Sequence, residues 1–180
     1  MKPSVGQVDV ALPALRALLR DAGASFKLVG GVAVVHHGYL RTTEDIDVLV
    51  DAASPGKLAA AAAAHGFTAV TRTRLRHAAS GVVVDLLVAG EAMPRRGAPS
   101  YPSPGDLAAS PDDPDFVALG PLCELKIRAH RHQDLADVVE LLQRLDEGPY
   151  IELEAAMHPE LRPELAGLRR DALEEKQARQ

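Results

Sequence analysis

The sequence predicts an α/β (α+β) fold, with a small mixed β-sheet, helices packed on one face and further helices toward the C-terminus. Three apolar runs, at 26–29, 45–51 and 81–88, have the length and β-branched content of strands. Apolar residues between and after them recur at helical spacing. Hydrophobic residues make up 47% of the 180 residues, enough for one core. We therefore expect one domain over 1–146 and a helical tail over 147–180.

The first helix is predicted over 8–22, with Pro13 in its first turn and Gly23 at its end. Four leucines lie at helical spacing in this segment: Leu12, Leu15, Leu18 and Leu19. A later helix is predicted over 54–64, where Ser54 is expected to act as the N-cap.

Residues 67–77 alternate between polar and apolar types and predict a strand or one arm of a hairpin. This strand is expected to pair with 81–88. Arg72, Arg74 and Arg76 share one face of it. The pattern favours a solvated edge strand, and the alternative is a basic stripe that meets phosphate.

Residues 91–114 contain six of the thirteen prolines and predict no regular element. Loops of this length are usually lids, binding loops or disordered segments. Arg95 and Arg96 lie near its start, where a lid would bring their charges to an anionic ligand. A lid and a disordered loop are both compatible with the sequence.

The C-terminal third predicts mainly helices. A short edge strand at 116–119 is followed by helices over 120–130 and 133–145. Prolines interrupt the remainder, and the charged end at 169–180 predicts a solvated, fraying helix.

The D-x-D pair Asp45-Ile46-Asp47 opens an apolar run. Side chains alternate along a strand, so Asp45 and Asp47 point to one face, whereas Ile46, Val48 and Val50 point to the other, into a core. Two neighbouring carboxylates repel each other unless a cation or a proton lies between them. Mg²⁺ or Mn²⁺ is suitable, because Mg²⁺ binds one or two carboxylates together with substrate phosphates and water.

Asp85 is the single charge inside the apolar run 81–88. Because a buried unpaired carboxylate is costly, we expect Asp85 on the face of the sheet that carries Asp45 and Asp47. There it would be a further metal ligand or a general base for an attacking hydroxyl.

Gly30 and Gly31 follow the run 26–29 directly and precede a short predicted helix over 32–40. Glycine lets a ligand approach the backbone closely, and free amides at such a turn can hold phosphate. Together with the carboxylates, this turn indicates metal-dependent chemistry on a nucleoside triphosphate.

This arrangement resembles a known superfamily through three motifs: Gly30-Gly31, Asp45-x-Asp47 and Asp85. The nucleotidyltransferase superfamily, which includes DNA polymerase β and the aminoglycoside nucleotidyltransferases, has a similar pattern. The context over 28–47 resembles small bacterial nucleotidyltransferase-like proteins related to abortive-infection and toxin–antitoxin toxins. A second similar block lies at 124–139, and the resemblance covers about 20–145.

The resemblance implies transfer of a nucleoside monophosphate from a nucleoside triphosphate to a hydroxyl of RNA, protein or a small molecule. Asp45, Asp47 and Asp85 would be the catalytic, metal-binding carboxylates. The nucleotide-binding residues would be Gly30, Gly31, Arg41, Thr43, Lys126 and Asp134.

Three of these residues have specific expected roles. Arg41 would orient a carboxylate or contact phosphate, or it would be a surface arginine. Lys126 would neutralise triphosphate charge. Asp134 would shape the site, and the alternative is that Asp134, Asp137 and Arg131 form only helix-surface pairs.

The partners implied are the nucleotide, an acceptor such as tRNA, and an antitoxin protein. Two alternatives remain: a catalytically degenerate module that binds nucleotide or a partner, and a metal-dependent nuclease.

The composition of the chain argues against some classes of function and structure. The net charge of −5 argues against a general nucleic-acid binder, although a local basic groove is compatible with it. Cys123 is the only cysteine, so an internal disulfide is excluded. The sequence has no signal-peptide pattern and no membrane-spanning run, so a cytoplasmic location is expected.

Overall fold

A five-stranded mixed sheet forms the centre of the computed structural model, which describes residues 5–95 and 97–179. The strands are β1 (Phe26–Val29), β2 (Asp45–Val50), β3 (Phe67–Thr71), β4 (Arg74–His77) and β5 (Val83–Val88). Their order across the sheet is β1-β2-β5-β4-β3. β2 and β5 run parallel, and the other neighbours are antiparallel.

Helices precede, connect and follow these strands. They are α1 (Val5–Asp21), α2 (Gly30–His36), α3 (Ser54–Ala61), α4 (Leu119–Ala129), α5 (His132–Leu142), α6 (Glu147–Ala156) and α7 (Arg162–Ala178). Short 3₁₀ turns occur at Ala62–His65, Pro104–Asp106 and Pro159–Leu161. This architecture confirms the predicted mixed α/β class.

The strand β2, which lies between β1 and β5, has buried side chains on both faces. Ile46 and Val48 point to one side and Leu49 to the other, and all three are fully buried. The second face of β2 is therefore covered in its C-terminal half, although the sequence predicts helices on one face only, whereas Asp45 and Asp47 on that face stay accessible.

α1 begins earlier than predicted, so Pro13 lies in its interior and not in its first turn. A proline there removes one backbone hydrogen bond. Burial of apolar side chains offsets this loss, because Leu15 and Leu18 are fully buried. Gly23, with a φ of +61°, ends the helix as expected.

Asp51, and not Ser54, holds the start of α3. Asp51 Oδ1 accepts the Ala53 amide at 2.9 Å, and Oδ2 accepts the Ser54 hydroxyl at 2.9 Å and the Ser25 amide at 3.2 Å. Ser54 is already helical, so its predicted N-cap role is wrong. Both residue types cap helices well, and the contact to Ser25, the residue before β1, favours the aspartate.

Residues 67–77 form the hairpin β3–β4, so the three arginines do not make one stripe. Arg72 lies in the turn and pairs with Glu91. Arg74 pairs with Asp85 on the neighbouring strand, and Arg76 is exposed. β3 is the edge strand, whereas β4 lies inside the sheet.

The proline-rich loop folds back on itself in its described part. Tyr101 donates its amide to Glu91 O, and Gly90 donates its amide to Tyr101 O, both at 2.9 Å. Arg96 lies outside the described residues. The predicted edge strand at 116–119 is absent as a named strand, but Phe116 forms a parallel bridge to Leu28 at the edge of β1.

α7 packs against the rest of the chain, so the prediction of a solvated, fraying end is wrong for 169–172, where two residues are buried. Residues 173–178 are exposed, as the sequence predicts. Leu165 and Ala172 are fully buried, and Arg169 is nearly so. Arg169 Nη1 donates to Leu142 O at 2.6 Å. Gln180 lies outside the described residues. No helix within 5–95 or 97–179 has the length and apolar character needed to cross a membrane.

Candidate functional site

The parallel pair β2–β5 brings the three predicted carboxylates together. Asp47 is the register partner of Asp85, and Asp45 is the partner of Val83. Because residues two apart share a face, Asp45, Asp47 and Asp85 lie on the same side of the sheet. The shared face predicted from the sequence is therefore present.

Gly30 and Gly31 form the first turn of α2, so the helix begins two residues earlier than predicted. Gly30 has a φ of +60°, and a Cβ placed there would lie 1.9 Å from Asp47 Oδ2. A Cβ at Gly31 would lie 2.5 Å from Thr43 Oγ1. The glycines therefore make room for Asp47 and Thr43, a packing role that the sequence does not reveal.

Asp47 is half-buried, and its pKa is raised to about 6. Burial is the main cause, and the charges of Asp45 and Asp85 add to it. Arg131 and Lys126 lower the pKa to a smaller extent. Negative charge therefore accumulates at Asp47, and a cation bound there would relieve the repulsion.

Asp85 is held by an arginine of the adjacent strand. Arg74 Nε donates to Asp85 Oδ1 at 2.6 Å, and Nη2 donates to Oδ2 at 3.1 Å. The two residues are register partners in β4 and β5. This bidentate pair balances the charge of Asp85 and orients its carboxylate. The sequence interpretations of Arg74, an edge-strand charge or a phosphate contact, missed this role.

The carboxylates of the site provide only part of the ligand shell of a divalent cation. Within the described residues, no group of three or more His, Cys, Asp or Glu side chains is placed to hold a metal ion. Mg²⁺ needs only one or two carboxylates when water and phosphates complete its shell, so the pair Asp45 and Asp47 fits that chemistry. Metal binding by Asp85, whose oxygens are engaged by Arg74, stays a prediction.

Lys126 is buried in an ion network behind the carboxylates. Its side chain is 5% exposed, and Nζ donates to Asp134 Oδ1 at 3.1 Å and to Asp137 Oδ2 at 2.7 Å. The charge of Lys126 is therefore already balanced by two aspartates.

Arg41 extends this network from the loop before β2. Its Nη2 donates to Asp137 Oδ2 at 3.0 Å, and its Nε lies 2.9 Å from Asp137 Oδ1. Gln133 also donates to Asp137, which is fully buried. Arg41 thus orients the carboxylate of Asp137. Thr43, also buried, donates to the backbone oxygen of Asp45 at 3.1 Å.

Arg131 is the exposed cation of the site. Its Nε donates to Asp134 Oδ2 at 2.6 Å, while 68% of its side chain stays exposed. The hydrogen bond to Asp134 is the main cause that raises the pKa of Arg131. The sequence indicates Arg131 and Asp137 only as members of helix-surface pairs, and not as parts of the site. The spacing of Asp134 and Asp137 on one helix face was the available signal.

Eight of the nine predicted site residues line one polar cavity of about 290 Å³. They are Gly30, Gly31, Arg41, Asp45, Asp47, Asp85, Lys126 and Asp134. Thr43 lies just behind, against Gly31. A second cavity of about 270 Å³ adjoins the first and is lined in addition by Met93, Tyr101 and Leu125. Carboxylates, an exposed arginine and a more apolar compartment thus meet in one cleft.

No family model matches the sequence, and no curated protein matches it.

Proposed function

We propose that this chain has a nucleotidyltransferase-like fold and is a Mg²⁺-dependent nucleotidyltransferase. One observation carries the proposal. Asp47 lies opposite Asp85 in parallel strands, with Asp45 on the same face, in a cavity that also contains Gly30 and an exposed arginine.

Each group has a role that follows from its surroundings. Asp45 and Asp47 hold the cation, which supplies charge neutralisation at the phosphates. Gly30 and Gly31 line the same cavity and offer their backbone to the triphosphate. Arg131, exposed at the cleft, takes the phosphate-neutralising role that the sequence assigns to Lys126.

The reaction is an in-line displacement at the α-phosphorus. The acceptor hydroxyl oxygen forms a bond to this phosphorus, the bond to the bridging oxygen of the β-phosphate breaks, and pyrophosphate leaves. Asp85, oriented by Arg74, accepts the hydroxyl proton. Catalysis depends mostly on positioning and charge neutralisation.

The acceptor is an RNA such as tRNA, a protein or a small molecule, in a toxin-like role with an antitoxin partner. This part rests on the resemblance alone, and the net charge of −5 adds no support for RNA. A toxin would slow growth when expressed without its antitoxin. Unimpaired growth of several hosts at high expression would argue against this role.

A non-catalytic nucleotide-binding module is the second candidate. The observation that favours it is the internal pairing of two predicted functional groups. Arg74 donates hydrogen bonds to both carboxylate oxygens of Asp85, and Lys126 forms ion pairs with two aspartates. Nucleotide binding without transfer to any acceptor would favour this module.

The test is label transfer from each α-labelled nucleoside triphosphate, with Mg²⁺ or Mn²⁺ and a cell extract. The double variant Asp45→Asn/Asp47→Asn keeps the side-chain shape against Gly30 but removes the charge. Asp9→Asn, an exposed carboxylate outside the cleft, is the control. Label transferred by the wild type and Asp9→Asn, but not by the double variant, supports the proposal. Equal transfer by the double variant refutes it, and shortened RNA in place of labelled product indicates a nuclease.

A further inference from the structure

The cleft divides into two compartments of different chemistry. The polar cavity is lined by Asp45 and Arg41, and of the two compartments only the adjoining cavity is lined by Met93, Tyr101 and Leu125. The two cavities share six residues: Gly30, Asp47, Asp85, Lys126, Arg131 and Asp134. They are therefore continuous, and a single ligand can span both.

The apolar compartment is built from the proline-rich loop and α4. The bridge between Ala92 and Ser100 closes a short loop, which places Met93 and Tyr101 over the cleft. Met93 is 5% exposed, so this part of the loop is packed. Leu122 and Leu125 form the α4 side of the compartment.

We propose that this compartment binds the nucleobase of the nucleoside triphosphate, with Met93, Tyr101 and Leu125 as the contact residues. The inference rests on the proposed function. A nucleotide has a polyanionic end and a flat, largely apolar end, and the cleft has one compartment for each. With aromatic residues at only 3% of the chain, the base lies mostly against methionine and leucine side chains.

Tyr101 adds one polar group to this compartment. No hydrogen bond within the described residues uses its hydroxyl, whereas its backbone is held by Gly90 and Glu91. Burial raises the pKa of Tyr101, and the charge of Asp47 adds to this effect. The phenol therefore stays neutral at physiological pH and is free to donate to, or accept from, a base edge.

The decisive experiment compares two ligands that differ by the nucleoside. ATP and inorganic tripolyphosphate, each with Mg²⁺, are titrated into the full chain by calorimetry. The variant Leu125→Ala shortens a half-buried leucine of α4 inside the cleft. Leu135→Ala, a half-buried leucine of α5 that does not line the cavity, is the matched control.

We expect Leu125→Ala to weaken ATP binding by about tenfold, because three carbon atoms are lost from the base contact. Tripolyphosphate binding should stay unchanged, and Leu135→Ala should change neither ligand. Met93→Ala should repeat the selective loss for ATP, which guards against a folding defect in one variant.

Each other outcome has a defined meaning. Equal weakening of both ligands, or unchanged ATP binding, overturns the base-binding inference while the proposed function stands. If label transfer occurs but the loss in Leu125→Ala affects the acceptor and not ATP, the compartment holds the acceptor and the inference is wrong. If neither ligand binds the wild type, both the inference and the proposed function fail.

Discussion

Replacement of Asp47 by asparagine should stabilise the protein at neutral and alkaline pH. Asp47 has a folded-state pKa of about 6, compared with an ordinary value of 3.8. A raised pKa means that the folded state resists ionisation, so the charge destabilises the fold once the pH exceeds the folded pKa. The destabilisation disappears as the pH falls below the unfolded value. Asparagine keeps the shape against Gly30 without the charge.

The magnitude follows from the pKa difference of about two units. At about 1.36 kcal/mol per unit, Asp47→Asn should raise the free energy of unfolding by about 3 kcal/mol at pH 8. At pH 5 the folded carboxyl is mostly protonated, and the same linkage leaves about half of that gain. The difference between the two pH values is the informative quantity, because it isolates the charge from any change in packing.

The assay is urea denaturation of wild type and variant at pH 5 and pH 8, with EDTA to remove divalent cations. Asp51→Asn is the control of opposite sign. Burial opposes ionisation of Asp51, but hydrogen bonds from Ser54, Ser25 and Ala53 outweigh it and lower its pKa. Asp51→Asn should therefore lose stability at pH 8. A loss of stability in Asp47→Asn at pH 8, or an equal gain at both pH values, would refute the reasoning.

Two further substitutions test the packing of the site. Gly30→Ala forces a Cβ to 1.9 Å from Asp47 Oδ2 at a φ of +60°, so thermal unfolding should show a loss of more than about 2 kcal/mol. Gly105→Ala, with open space around it, should show almost none, and equal effects would contradict the contact. Lys126→Met leaves two buried aspartates without their lysine and should cost about 3–5 kcal/mol in chemical denaturation. Arg131→Met removes a more exposed partner and should cost less than about 1 kcal/mol. A similar cost for both would mean that burial does not set the strength of this network.

The sequence predicts those features that depend on local periodicity. The alternation around Asp45 and Asp47 predicts a strand with both carboxylates on one face, and the apolar run around Asp85 predicts a second strand. Their common face is confirmed by the structure. The parallel register of Asp47 and Asp85 is not predictable, because it is set by the helix and hairpin between them.

Contacts between residues that are far apart in the chain also cannot be predicted from the sequence. Arg74 finds Asp85 only after β4 and β5 pair, and Asp51 replaces Ser54 at the start of α3 because β1 lies nearby. α7 is rich in charge, so its narrow buried stripe is difficult to separate from a solvated helix. Burial of Leu165 and Ala172 becomes evident only once α5 is in place.

The parallel pairing of β2 and β5 has a consequence for how the protein folds. Antiparallel neighbours can join through a short turn, but these two strands are separated in the chain by α3, β3 and β4. Such non-local contacts are slow to form, because loop-closure entropy is lost before they are made. We therefore expect the carboxylates to meet late in folding, when the surrounding sheet can already hold them together against their mutual repulsion. Substitutions that relieve this repulsion should accordingly slow unfolding more than they speed folding.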